Sequence, residues 1–327
     1  MTTDMPMESH KRFSRLYGKL SPSAVKSCKV LFAAALLLLL ALFVDVQEAV
    51  DQLKLTDWRW LVPACLLVQI QVVLSALRWK ITANRLGQSL STSRAISEYY
   101  LTTVANLSLP GGITGDAARV YRNRQPLALG VSMQSVVIER LAGQLALLIV
   151  SVIGWLLWPV LMQGGAPDVA LRILSITLAV ILILALTIVL IIRFAPDWIT
   201  RSVVDYGPAF YIAWWSDRQW IAQSTISLAI VSTYLFIFLF SSYAVQAPLS
   251  IPAMMTLVPL VLLSMLIPLS IGGLGIREAA AAVLWPLAGL TSEAGIATSV
   301  VYAMISLFAC LPGLVLLVWH SRVAPAK

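Results

Sequence analysis

The chain has 327 residues, 59% of them hydrophobic and only 12% charged. Soluble domains carry about 25% charged residues, so a water-exposed globule is excluded. The net charge of +8 lies in clusters between apolar runs, as the positive-inside bias of membrane proteins predicts, and not along one face as nucleic-acid binding requires.

Long uncharged runs at Val30–Val44, Leu61–Leu77, Ile173–Ile192 and Ile296–Trp319 set the fold class. In lipid every backbone polar group needs an internal partner, which such runs find as helices. A span needs about 20 apolar residues. The expectation is an all-α, polytopic transmembrane helix bundle of about 6–8 membrane helices. Cys28, Cys65 and Cys310 are far apart and give neither a disulfide framework nor metal spacing. His10 and His320 sit in the tails, so no metal centre or histidine triad is expected in the core, and no cofactor.

In chain order, residues 1–28 read as a basic cytoplasmic tail holding Lys11, Arg12, Arg15, Lys19 and Lys26. A basic stretch before an apolar one resembles a signal peptide. Its length and the lack of an A-x-A-like site favour an uncleaved first helix ending near Val46. Residues 29–320 form a single integral membrane domain, and 321–327 a short cytoplasmic tail. Asp45, Glu48, Asp51 and Asp57 mark an outer loop. Helix two runs from Trp58 to Leu77 and stops at Arg78, Lys80, Arg85 and Arg94, back at the cytoplasm.

Residues 95–118 are weakly apolar and contain Asn106, Pro110, Gly111, Gly112 and Gly115. Basic residues flank both sides, so the segment enters and leaves by one face as a broken, re-entrant hairpin. Residues 130–158 cross outward, 164–168 turn, and 171–193 return. Residues 194–219, with Trp198, Trp214 and Trp215, read as an interfacial helix joining half-repeats 29–193 and 220–320. Residues 220–244 cross outward. Residues 253–290 form a second interrupted segment, to which Trp285 is assigned. A last helix, 294–319, places both termini inside.

The two breaks are alike. One reads Leu109-Pro110-Gly111-Gly112-Ile113-Thr114-Gly115-Asp116, the other Ser270-Ile271-Gly272-Gly273-Leu274-Gly275-Ile276-Arg277-Glu278. Paired Gly/Pro interruptions in corresponding halves point to a transporter site and an inverted repeat. A broken helix frees N–H groups at a positive dipole end, which attract anions. The blander alternative is that these glycines only permit tight turns or close packing. Charges beside the breaks favour a site. Asp116 and Arg119 share a helix face, Glu139 and Arg140 interrupt an apolar helix, and Arg277 and Glu278 follow the second break. Charges at membrane depth usually mark a pathway or a pair. Glu98 is a further carboxylate that could carry a proton.

The run from Pro110-Gly111-Gly112 to Asp116 and Arg119, then Glu139-Arg140-Leu141-Ala142-Gly143, then Gly272-Gly273-Leu274-Gly275-Ile276-Arg277-Glu278 resembles the flippase-like transmembrane domain of lysylphosphatidylglycerol synthases. The resemblance implies lipid translocation, or support for making lipid-linked glycans, aminoacylated lipids or hopanoids. It offers Pro110, Gly111, Gly112, Asp116, Arg119, Glu139, Arg140, Gly272, Gly273, Gly275, Arg277 and Glu278 as substrate-binding residues. Thr114 stands where that pattern leads one to expect glycine. The sequence given stops soon after Trp319, without the soluble transferase of the two-domain synthases, so aminoacyl transfer by this chain alone is not expected.

The leading expectation is a translocase of the bacterial inner membrane, moving an anionic phospholipid or a polyprenyl-phosphate-linked lipid. Its partners would be the anionic headgroup, the bilayer and a lipid-biosynthetic enzyme, with no nucleic acid. An accessory subunit of a biosynthetic complex and a membrane-embedded transferase stay open. The chain carries no G-x-x-x-x-G-K-[ST] run, so ATP is not expected to bind by that route.

Overall fold

The computed structural model describes residues 46–108, 114–123, 129–161, 197–265 and 273–323, with Ser175 and Ala179. The basic tail, the expected first helix, the 164–168 turn and most of the 171–193 helix lie outside the described residues. So do Pro110, Gly111, Gly112 and Gly272.

Among the described residues every regular element is helical. The α-helices are α1 (Val46–Lys54), α2 (Trp58–Arg85), α3 (Thr92–Ser108), α4 (Thr114–Arg122), α5 (Leu129–Leu161), α6 (Asp197–Trp214), α7 (Gln219–Ala244), α8 (Ile251–Ser264), α9 (Ile276–Leu284), α10 (Ser292–Phe308) and α11 (Leu311–Val323). Four stretches are long and apolar enough to cross a membrane: Trp58–Arg85, Gly130–Trp158, Ser216–Ala244 and Ser292–Val318. The chain is a multi-pass helical membrane protein. Its exterior carries Leu141, Leu145, Ile149 and Ile153 along α5 and Leu314, Val315 and Val318 along α11, side chains that suit hydrocarbon.

Helix starts follow local chemistry. Asp57 caps α2 by accepting from the Arg59 N–H, Ser250 caps α8, and Thr291 caps α10, each taking a donor that the first turn leaves free. Helix α2 runs two turns past Leu77 to Arg85 and is followed, after Leu86, by Gly87, whose φ of 90° suits only glycine without strain. The basic residues from Arg78 onward therefore do not terminate it. Lys and Arg are good helix formers, and Arg78 is buried.

The two halves share an element order: a long helix, a shorter helix, a break, a nine-residue helix, and a further long helix (α2 to α5, then α7 to α10). The leading helices of the halves, α2 and α7, run antiparallel. Asp57 bonds Ala244, Trp60 stacks on Tyr243, Arg78 bonds Ser227, and Thr82 bonds Gln223. An inverted repeat requires that arrangement. Helices α3 and α4 form an antiparallel hairpin, with Asn106 meeting Gly115 near the break and Glu98 meeting Arg122 at the open end.

The expected single last helix is two, α10 and α11, interrupted at Ala309 and Cys310. Pro312 has no N–H to give the Phe308 carbonyl, and the Gln69 amide donates to that carbonyl instead, at 2.8 Å. The bend seats Gly313 against the Tyr100 carbonyl, where an added Cβ would come within 2.6 Å. The main core gathers α2, α7, α8 and α10 around Phe238, Leu257 and Trp285.

Candidate functional site

The break before α4 has one glycine whose role is visible. A Cβ on Gly115 would meet the Thr102 carbonyl oxygen at 2.3 Å, so only glycine lets α3 and α4 close this tightly. Thr114 lies beside Ala105 without such crowding, which explains why a side chain is accepted there. The Gly115 N–H donates to the Asn106 side-chain oxygen at 2.8 Å.

Closing that hairpin delivers Asp116 and Arg119 to α5. Arg119 donates to Asp116 at 2.8 Å and to Glu139 at 3.3 Å, and Arg140 donates to Asp116 at 2.5 Å. The sequence offered Asp116 with Arg119 and Glu139 with Arg140 as two separate pairs, and the structure joins them in one cluster. It adds three that sequence reading missed. Arg78 of α2 donates to Glu139 at 2.7 Å and to Ser227 of α7 at 3.1 Å, and the Tyr99 hydroxyl donates to Glu139 at 3.1 Å. The Arg119 guanidinium lies 4.5 Å from the Trp79 ring and 4.6 Å from the Tyr99 ring, a cation–π arrangement. Gly143, one turn beyond Glu139, leaves the room that Arg78 needs: a Cβ there would meet its Nη2 at 3.2 Å.

Three guanidinium groups face two carboxylates, which leaves one positive charge among the described residues. Arg119, Glu139 and Arg78 are buried, while 45% of the Arg140 side chain is exposed. Arg119 Nε and Nη1 and Arg78 Nε are buried donors with no hydrogen-bond partner. Buried donors nearly always find partners, so this cluster has unused capacity for an acceptor. Glu98, the carboxylate considered for proton transfer, is instead paired with Arg122 at 2.7 Å on the open end of the hairpin.

The second break is built differently. Gly273 and Gly275 have φ of 82° and 87°, a region open to glycine. Glu278 accepts the Gly275 N–H at 2.6 Å and the Arg277 guanidinium at 2.6 Å. Arg277 also donates to Ser299 at 2.8 Å, and Ser299 donates to Glu278 at 3.1 Å. The Arg277 guanidinium lies 5.2 Å from the Tyr302 ring. This group is electrically neutral.

The expectation that freed backbone N–H groups cradle an anion is thereby corrected at Gly115 and Gly275. Asn106 holds the first N–H and Glu278 the second, because a free N–H beside a short polar side chain closes on it locally. Among the described residues no three metal-ligating side chains converge.

The fold and the cluster define a multi-pass helical membrane protein with a paired group of charges inside its bundle. The chain belongs to the family of the lysylphosphatidylglycerol synthase TM region, whose model matches residues 27–313, and its function is accordingly a lipid-related one at the membrane. No curated protein and no solved structure matches the chain.

Proposed function

We propose that the protein is a flippase-like lipid translocase of the bacterial inner membrane, moving an anionic phospholipid or a polyprenyl-phosphate-linked lipid, with both termini cytoplasmic. The single observation that carries this reading is the buried cluster of Arg78, Arg119, Arg140, Asp116 and Glu139, with its surplus positive charge and its unpartnered Arg119 and Arg78 donors. Glu139 lies ten residues into α5, about 15 Å along it at 1.5 Å per residue, inside the stretch Gly130–Trp158 that is long and apolar enough to cross a membrane. A headgroup anion crossing at that depth needs compensating charge, and arginine supplies planar, paired donors suited to phosphate. Arg140 gives the cluster an exposed edge through which a headgroup reaches Arg119 while its tails stay in lipid. Arg277 and Glu278 form a second polar station.

The test is translocation in proteoliposomes, with fluorescent phosphatidylglycerol or a polyprenyl-phosphate-linked sugar. Wild type is compared with Arg140→Gln, chosen because its partly exposed side chain makes misfolding a small risk, and with Arg277→Ala. The expected result is flux that falls to the protein-free level in Arg140→Gln and is lowered in Arg277→Ala. Wild-type flux in both variants would exclude the proposal. Flux that ignores an imposed proton gradient would exclude proton coupling through Glu139 or Glu278.

A further inference from the structure

The α4–α5 ion cluster contains its own charge count. Glu139 is shared between Arg78 and Arg119, and Asp116 between Arg119 and Arg140. Both carboxylates are thus saturated by guanidinium groups, and the system still carries one positive charge. Near it, the Glu98–Arg122 pair is neutral and contributes nothing net. Arg119 touches both carboxylates and is fully buried against the Trp79 and Tyr99 rings, so the excess is met from outside at Arg140, 45% of whose side chain is exposed. Arg119 Nε and Nη1, with Arg78 Nε, are the donors left over.

Uncompensated charge in a low-dielectric interior is costly, whichever its sign. The ligand that best completes this cluster therefore brings one negative charge. A doubly charged ligand would replace an excess of one sign with an excess of the other. We infer that the cluster selects a phosphodiester, which carries one charge, over a phosphomonoester, which carries close to two above its second ionisation. The inference rests on the translocase reading of the same site and narrows it to a substrate class. Two lipids share that chemistry: a diacylglycerol phosphodiester such as phosphatidylglycerol, and a polyprenyl-phosphate-linked sugar.

Asp116 has a defined part in this selection. It holds Arg140 at 2.5 Å while also holding Arg119, so it sets how much positive charge an incoming headgroup meets. Neutralising Asp116 raises the excess to two charges, and neutralising Arg140 lowers it to zero. Preference should follow those changes.

The experiment measures retention of four lipids by the purified full-length protein, read by native mass spectrometry. The probes are phosphatidylglycerol, phosphatidic acid, a polyprenyl-phosphate-linked hexose and polyprenyl phosphate, at a pH of about 8.5, above the second phosphate ionisation near about 6. Within at least one tail class, wild type should retain the diester about tenfold better than the monoester, as a unit of charge at short range allows. Retention confined to diacyl lipids or to polyprenyl lipids identifies the source. Asp116→Asn should reverse the preference towards the monoester, and Arg140→Gln should lower diester retention about tenfold. Monoester retained as well as diester by wild type, no retention of any probe, or equal loss of all four lipids in Asp116→Asn would each overturn the inference. Because retention is read without flux, the two proposals fail separately. Diester selectivity without translocation would remove the translocase and leave the charge selection standing. Translocation with monoester preference would do the reverse.

Discussion

In the first half of the chain, the nine-residue helix after the break meets Glu139 and Arg140 on its long neighbour; in the second half, the corresponding helix meets Ser299 and Tyr302. Each half has an antiparallel pair closed by glycine, though not the same pair: Gly115 brings α4 against the Thr102 carbonyl of α3, and Gly295 brings α10 against the Ala281 carbonyl of α9. The electrostatics differ. Asp116 and Arg119 find further charges and build a network with a surplus. Arg277 and Glu278 find a hydroxyl and an aromatic ring, and settle with each other and with the Gly275 N–H. Similar sequence motifs thus give one group with a surplus charge and one that is neutral, and what decides between them is the helix they face.

The sharpest way to break this comparison is to remove one carboxylate from each group. Glu139→Gln leaves Arg78 and Arg119 facing an amide, two buried cations losing one counter-charge, and is expected to destabilise by about 3–5 kcal/mol. Glu278→Gln leaves the single buried Arg277 without its described counter-charge while the amide oxygen still accepts the Gly275 N–H, so the expected cost is about 3 kcal/mol, the low end of the same range. Denaturant unfolding in a fixed detergent ranks the two. A larger effect at Glu278 would mean that the second break, not the first, holds the bundle together.

The glycines offer a finer contrast. At Gly115 an added methyl meets a backbone oxygen at 2.3 Å, which cannot yield without opening the hairpin. Gly115→Ala is expected to cost about 1–3 kcal/mol, as overpacking does. At Gly143 the obstacle is the flexible Arg78 guanidinium at 3.2 Å. Gly143→Ala should cost less than about 1 kcal/mol, below the usual range for overpacking, yet displace Arg78 from Glu139. Translocation should therefore fall further than stability does. Equal losses in both properties would show that Gly143 serves packing alone.

Much of this was legible in the sequence, and the exceptions have physical reasons. Apolar runs and charge parity gave the helical membrane class, α5 to within three residues at either end, and α7 to within one. Where a broken hairpin was expected at 95–118, the described residues form the antiparallel helices α3 and α4. Asp116 with Arg119 was readable from spacing along one helix. Arg78 was not, because it sits next to Lys80 and Arg85 and looks like an ordinary cytoplasmic flank. Only the packing of α2 against α5 shows that it points inward, and Gly143, four residues after Glu139, was the available hint. Tyr99 and Ser227 were hidden for the same reason: a hydroxyl that caps a charge on another helix has no local signature.

Arg78 and Arg85 bring the contrast down to a single helix. Both lie in α2, two turns apart, and each forms an ion pair: Arg78 with Glu139 at 2.7 Å, and Arg85 with Asp217 at 2.6 Å. Distance alone ranks them as equals. Exposure does not, since the Asp217 side chain is 72% exposed and that of Arg85 32%, whereas Arg78 and Glu139 are buried. Water competes for the outer pair and salt screens it, so Arg85→Ala is expected to cost about 0–1 kcal/mol. Arg78→Ala should cost several times more, because Glu139 loses a counter-charge it cannot replace from solvent. Raising the salt should erase the small Arg85 effect and leave the Arg78 effect intact. If the Arg78 effect also faded with salt, solvent would have to reach the cluster, and its surplus charge would be neutralised by ions, against the proposed capture of a lipid headgroup there.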